Sequence, residues 1–264
     1  MNIQPPMQAD SPPAVRKELL RADTLIIGFT GSLGSGCTFL SEGLKKVLGD
    51  KAQYYLLSKV LRETARQRGL NHEDTAVLQD LGNELREKEG VSALAQKCIE
   101  QAKEEARGKK FDSGEDTIIL VDGIRNDGEI RCFRQFPNFY LISVHAEMGT
   151  RIRRLVGPDA SDRRFDTKEK FEKADERDQH EEPPSGQQVL LCNYLADVII
   201  NNDEQILALP AFQWNLDWLH RKVGRRLIAP TRPTRLLSYD GLPRNASESA
   251  TKGTISNNTP WPEA

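Results

Sequence analysis

The chain has 264 residues, of which 38% are hydrophobic and 29% charged, and its formal net charge is -2. That length suits one large domain with appendages, and so balanced a charge offers no global basic field for a nucleic-acid backbone or an acidic membrane surface, so phosphate binding would have to be local. The scattered Cys37, Cys98, Cys132 and Cys192 suggest neither a disulfide framework nor a zinc knuckle; with no apolar run long enough to span a bilayer, a reducing cytoplasm is the expected setting.

Residues 1–22 are polar and proline-rich and read as a flexible arm, and residues 23–225 read as one domain. Leu25 to Phe29 is a continuous apolar run of the kind buried on both faces of a parallel sheet. Phe39 to Leu48 has helical spacing through Phe39, Leu40, Leu44 and Val47. Tyr54 to Leu57 suits a second strand. Val60 to Gly69 and Asp74 to Lys109 read as helical; in the second, Leu78, Leu81, Leu85, Leu94, Ala95 and Ile99 form an apolar stripe, with a break at Gly90. Ile118 to Val121 and Phe139 to Val144 are two further strands, the first ending at Asp122-Gly123. Residues 148–190 are highly charged, and Ala196 to Ile200 supplies a last strand ending in Asn201-Asn202. A helix or pair of helices around Glu204 to Val223, interrupted at Pro210, closes the domain. Residues 226–264 turn to Ser, Thr, Asn, Pro and Gly and read as a disordered tail. Strands alternating with helices imply right-handed crossovers and an α/β fold, a parallel sheet flanked by helices on both faces.

The run Gly31-Ser32-Leu33-Gly34-Ser35-Gly36-Cys37-Thr38 has the spacing GxxxxG-x-[ST], directly after an apolar strand and directly before a helix. That context specifies a P-loop NTPase: glycines let successive N–H groups turn inward, and the helix N-terminus adds its positive dipole end. The cofactor-binding residues are therefore Gly31, Ser32, Gly34, Ser35, Gly36, Cys37 and Thr38, with the Thr38 hydroxyl offered to magnesium. A ligand-free glycine turn is the structural alternative. Position 37 departs from the pattern, which expects a lysine to neutralise the outer phosphates during transfer. A thiol cannot do this, so binding survives the change more readily than transfer. Arginines elsewhere would have to compensate, and Arg125, Arg151, Arg153 and Arg154 are the candidates.

Asp122 ends an apolar strand and would hold magnesium or its water, or act as a base toward an acceptor hydroxyl; the alternative is an ordinary Asp-Gly turn. Arg125 would point into the same cleft, at the carboxyl ends of the strands. Asp122, Arg125 and Arg154 are thus the candidate catalytic residues, and Thr38 and Asp122 the candidate metal ligands. Arg151, Arg153, Arg154, Arg163 and Arg164 suit either a mobile lid over transferring phosphates or a solvated basic face paired with the acidic run Glu172 to Glu182. His145-Ala146-Glu147 has the H-x-E spacing of zinc nucleobase deaminases, but the P-C-x-x-C partner is missing.

Four segments, GFTGSLGSGCT around the loop, LQDLGNELRE from Leu78, VDGIRNDGEI from Val121 and DERDQHEEPPSGQQVLLCNYLADVIINND from Asp175, together resemble dephospho-CoA-kinase-like nucleoside monophosphate kinases. They look closest to the kinase-like N-terminal region of bacterial phage-defence deoxycytidylate deaminases, in which cysteine can stand before the loop threonine. The resemblance covers about Thr24 to Val223. It implies a domain that binds ATP or another nucleoside triphosphate with Mg2+, with Gly31, Gly34, Gly36 and Thr38 at phosphate-binding positions and Asp122 at the acidic one. Residues 231–264 hold no cysteine or histidine for a zinc-binding deaminase domain, so the resemblance implies a regulatory half alone or a truncated product. The expected role is nucleotide sensing for a deaminase domain or a second copy of the chain, with a small-molecule nucleotide as ligand and neither nucleic acid nor membrane as partner. The alternative is an active ATP-dependent kinase of a nucleotide or related small acceptor, its base specificity set near Arg62.

Overall fold

The computed structural model describes residues 24–108, 118–180, 184–203 and 235–237. Strand β1 (Leu25–Thr30) leads through the glycine loop into helix α1 (Cys37–Leu48), then β2 (Ala52–Leu56), α2 (Ser58–Gln67), α3 (Thr75–Glu89) and α4 (Ala93–Gly108). β3 (Ile118–Asp122), α5 (Asp127–Phe133), β4 (Phe139–His145), α6 (Met148–Leu155), α7 (Lys168–Gln179), α8 (Val189–Tyr194), β5 (Val198–Asn201) and β6 (Arg235–Leu237) follow. The sheet order is β2-β3-β1-β4-β5-β6, and every pairing is parallel. This is the expected α/β fold of the P-loop type.

Strand alternation sorts the apolar side chains into two layers. Leu25, Ile27, Phe29, Ile118, Leu120, Tyr140, Ile142 and Val144 face α1, which packs Leu40, Leu44 and Leu48 against them. Ile26, Ile119, Val121 and Leu141 face the other way, toward Leu61 and Ala65 of α2, Leu81 of α3, Leu94, Ala95, Cys98, Ile99 and Ala102 of α4, and Ile130 and Phe133 of α5. Helices therefore cover both faces. Leu40 and Leu44 are fully buried, each contributing about 1.5–3 kcal/mol of apolar transfer. A third cluster joins Leu33 of the loop to Leu155, Phe165 and Phe171 of the α6–α7 region.

Several boundaries differ from the sequence expectation. The second strand is Ala52–Leu56 and the fifth Val198–Asn201, because pairing with β3 and β4 sets their ends. The break at Gly90 falls between α3 and α4, where Gly90 takes a positive φ of 99°. The charged span 148–190 holds helices α6 and α7 and the first two residues of α8. Arg235–Leu237, inside the span read as a disordered tail, pairs with β5 through Val198, Ile199 and Ile200. The expected arm over 1–22 and the helical region over 204–223 lie outside the described residues. Among the described residues no helix is long and apolar enough to cross a membrane.

Candidate nucleotide site

The loop sits at the carboxyl end of β1, the central strand between β3 and β4, where open α/β sheets bind ligands. Three consecutive carbonyls of this loop are held by side chains from distant elements. Arg151 Nη1 donates to Leu33 O at 3.1 Å, Arg154 Nη1 to Gly34 O at 2.8 Å, and Asn202 Nδ2 to Ser35 O at 2.8 Å. Because N–H and C=O of one trans peptide point in opposite directions, the N–H groups of Gly34 and Gly36 face away from these clamps. That orientation is what an anion-binding nest needs. Gly36 caps the start of α1 with a φ of 88°, a conformation that side-chain-bearing residues adopt at a cost.

The clamps are themselves anchored. Arg151 forms a bidentate pair with Asp175 of α7, at 2.5 and 3.0 Å, and lies 5.6 Å from the centre of the Phe171 ring. Arg154 also donates through Nη2 to Asn202 O at 2.7 Å. Thr150 donates to Asp203, whose carboxylate accepts from the backbone N–H of Glu147 as well. Arg151 and Arg154 hold the α6 region to the loop, and Asp175 of the acidic run pairs with Arg151, which is buried rather than on a solvated face. Arg163 and Arg164 pair with their neighbours Asp166 and Asp162 on the cleft wall. Arg154→Ala is expected to raise amide exchange by about tenfold at Ser35, whose N–H shares a peptide with the held Gly34 carbonyl and donates to Ser32 O at 3.0 Å, in hydrogen–deuterium exchange mass spectrometry, since releasing one charge-assisted bond is worth roughly 1.5 kcal/mol. Unchanged exchange there would show that the clamp is dispensable.

Beside the loop, Cys37 Sγ donates to Asp122 Oδ1 at 3.2 Å and Tyr54 Oη donates to Asp122 Oδ2 at 2.8 Å. Burial, with the neighbouring Asp122 charge, pushes both the Cys37 thiol and the Tyr54 hydroxyl well above their usual ranges. Both stay protonated donors near neutral pH. Asp122 is only 1% exposed, yet it lines a cleft of about 1110 Å³ together with Thr38, Arg62, Gln79 and Arg125. A second cleft of about 760 Å³ adjoins the loop, walled by Thr150, Arg153, Arg154 and residues 158–162. Gly31, Cys37, Thr38 and Arg125 line both. The loop, Asp122 and Arg125 are thus brought together, and Arg154 approaches from the second cleft.

Arg125 pairs with Asp178 of α7. Burial raises the Asp178 carboxyl above the usual aspartate range, against the opposing pull of Arg125. The loop carrying Arg125 is built by its own sequence. Asn126 caps α5 in a capping box closed by Glu129, and Glu129 Oε2 accepts the N–H of Arg125 at 2.8 Å. Glu129 is in turn paired with buried Arg86 of α3 at 3.0 Å. Arg62 is turned to His72 O and Glu73 on the cleft wall.

Sequence reasoning did not find Tyr54, Arg86, Asp178 or the clamping role of Asn202. Asn202 carried a faint signal, an Asn-Asn pair closing an apolar strand. Tyr54 offered only a strand residue.

No protein-family model matches the chain. A UPF0200 protein of Methanothermobacter thermautotrophicus is 32% identical over 184 residues, covering 69% of this chain and 80% of the relative. A UPF0200 protein of Methanothrix thermoacetophila is 33% identical over 138 residues, covering 52% of this chain and 68% of the relative. Among solved structures, shikimate kinase from Acinetobacter baumannii is similar with a TM-score of 0.40 and 14% identity, over 78% of this chain and 96% of that one.

Proposed function

The chain belongs to the UPF0200 family, and we propose that its P-loop domain binds a magnesium–nucleoside triphosphate as a sensing or regulatory module. The observation that carries this reading is the clamped loop. Leu33, Gly34 and Ser35 have their carbonyls held by Arg151, Arg154 and Asn202, so the N–H groups are oriented before a ligand arrives. Preorganised donors bind phosphate without the ordering cost that a floppy glycine loop would incur.

Magnesium fits the oxygen ligands present, since it favours hydroxyl, carboxylate and water. Thr38 and Asp122 would hold it, and when bound it would neutralise charge on the outer phosphates. Position 37 sets the balance between binding and transfer. Its thiol donates to Asp122 and brings no positive charge, so the domain lacks the ammonium that P-loop kinases aim at the phosphates. Arg125 supplies a cation at the junction of the two clefts, which is the specific support for the second reading, slow transfer to a nucleotide or related small acceptor. In that reading Asp122 would lie beside the acceptor hydroxyl, and Arg125 and Arg154 would stabilise charge. The partner that receives the signal would be a deaminase domain, as the four-segment resemblance implies, or a second copy of the chain.

Titration calorimetry with ATP and magnesium, beside a turnover assay with a panel of nucleoside monophosphates, tests both readings. The expected result is saturable binding with turnover far below the roughly 1–100 s⁻¹ of ordinary kinases. Cys37→Lys is expected to raise turnover by about tenfold or more, because it restores a cation at the transferring phosphate. Turnover at ordinary kinase rates in the unsubstituted chain would sink the sensing reading. Absence of ATP binding would sink both.

A further inference from the structure

We infer that Tyr54 is the positioning residue that sets the Asp122 carboxylate for a hydrated divalent cation. The inference rests on the nucleotide-binding reading and adds a residue to it. In the β2–β3 register Leu56 lies opposite Asp122 and Tyr54 opposite Leu120. Tyr54 is therefore two residues back on the partner strand and on the same face as Leu56, a diagonal that an aromatic side chain can span. Its ring packs against the apolar layer beneath α1, so the hydroxyl is delivered on a rigid arm.

Tyr54 Oη donates to Asp122 Oδ2 at 2.8 Å. Ser41 Oγ donates to the backbone carbonyl of Thr38 at 3.0 Å and lies 3.5 Å from Tyr54 Oη, beside it on the α1 side. On its other oxygen Asp122 accepts from Cys37 at 3.2 Å. An ionised carboxylate has about four acceptor sites. Two are filled by neutral donors that fix its plane, and the residue lines the same cleft as Thr38. Cations coordinated through water need such a fixed outer carboxylate, and removing comparable partners weakens metal binding by about 10- to 100-fold.

The test is ATP binding to Tyr54→Phe by titration calorimetry, in EDTA and in saturating magnesium, beside Tyr55→Phe. Tyr55 projects from the opposite face of β2, and its hydroxyl donates to Glu105 at 2.8 Å with Gln53 Oε1 nearby at 3.1 Å, so that variant loses a hydroxyl away from the site. Tyr54→Phe is expected to weaken the magnesium–ATP complex about tenfold and to leave the metal-free dissociation constant within about twofold. Tyr55→Phe should shift neither. Equal weakening with and without metal would mean that Tyr54 only supports the fold, and no weakening in either condition would mean that Asp122 holds itself; each overturns the inference while the nucleotide reading stands. If the unsubstituted chain binds no ATP, both fall together.

Discussion

Arg86→Ala should destabilise the folded domain by about 3–5 kcal/mol, the usual cost of removing one partner from a buried ion pair. Arg86 is 2% exposed and Glu129 fully buried, and Nε and Nη2 of Arg86 lie 3.1 and 3.0 Å from the same Glu129 oxygen. Glu129 does more than pair. It accepts the backbone N–H groups of Arg125 and Asn126 and closes the capping box of α5. Without Arg86, its charge stays buried with only those two donors, since protonation or water entry would disturb the cap. For a domain of this size the loss corresponds to a fall in Tm of about 10 °C, measurable by thermal and urea denaturation. Arg86→Met combined with Glu129→Gln should cost less than the sum of the two single changes, because the second change removes the stranded charge. A loss below about 1 kcal/mol for Arg86→Ala would show that water replaces the guanidinium. The same variant should also loosen the loop that carries Arg125 into the cleft.

Much of the frame was legible because its signals are local. An unbroken apolar run, a glycine loop and a helical stripe follow one another over residues 25–48, and each element's preference agrees with the next. The short helices were harder. α5 has seven residues and α8 six, too few for a periodic stripe, and their existence depends on the capping box at Asn126 and on packing across the sheet. Within 148–190 charge hid the helices, because α7 buries only Phe171, Asp175 and Asp178 and exposes most of the rest. In the site, the loop residues adjoin one another in sequence and could be read together. Their supports could not: Tyr54 reaches Asp122 across 68 positions, Arg125 meets Asp178 across 53, and Asn202 reaches Ser35 across 167. Such partners are chosen by topology, and no spacing rule within one segment encodes them. Arg154 illustrates the consequence. As sequence it is one of several arginines suited to a phosphate; in the fold its nearest partners are loop and strand-end carbonyls.

Gly36→Ala is expected to weaken ATP binding by about 100-fold while the domain still folds. Two costs act together at this position. The backbone φ is 88°, and holding a residue with a Cβ in left-handed geometry costs about 1–2 kcal/mol. A Cβ built there would also lie 2.3 Å from Asn202 Nδ2, inside any permitted contact. Asn202 cannot simply swing aside, since that nitrogen holds Ser35 O at 2.8 Å and its own carbonyl accepts from Arg154. Moving it frees the Ser35 carbonyl and lets the following peptide rotate, so the N–H of Gly36 loses its aim. A hydrogen bond to a charged phosphate is worth about 1.5–3 kcal/mol, and with the strain this gives roughly two orders of magnitude in affinity. Gly49→Ala separates the two contributions. Gly49 follows α1 with a φ of 58°, and a Cβ there would meet nothing within 4 Å. It should lose about 1–3 kcal/mol of stability from backbone strain alone and keep its ATP affinity. Comparable loss of binding in both variants would place the effect in the stability of α1; loss in Gly36→Ala alone assigns it to the clamp that Asn202 makes on the loop.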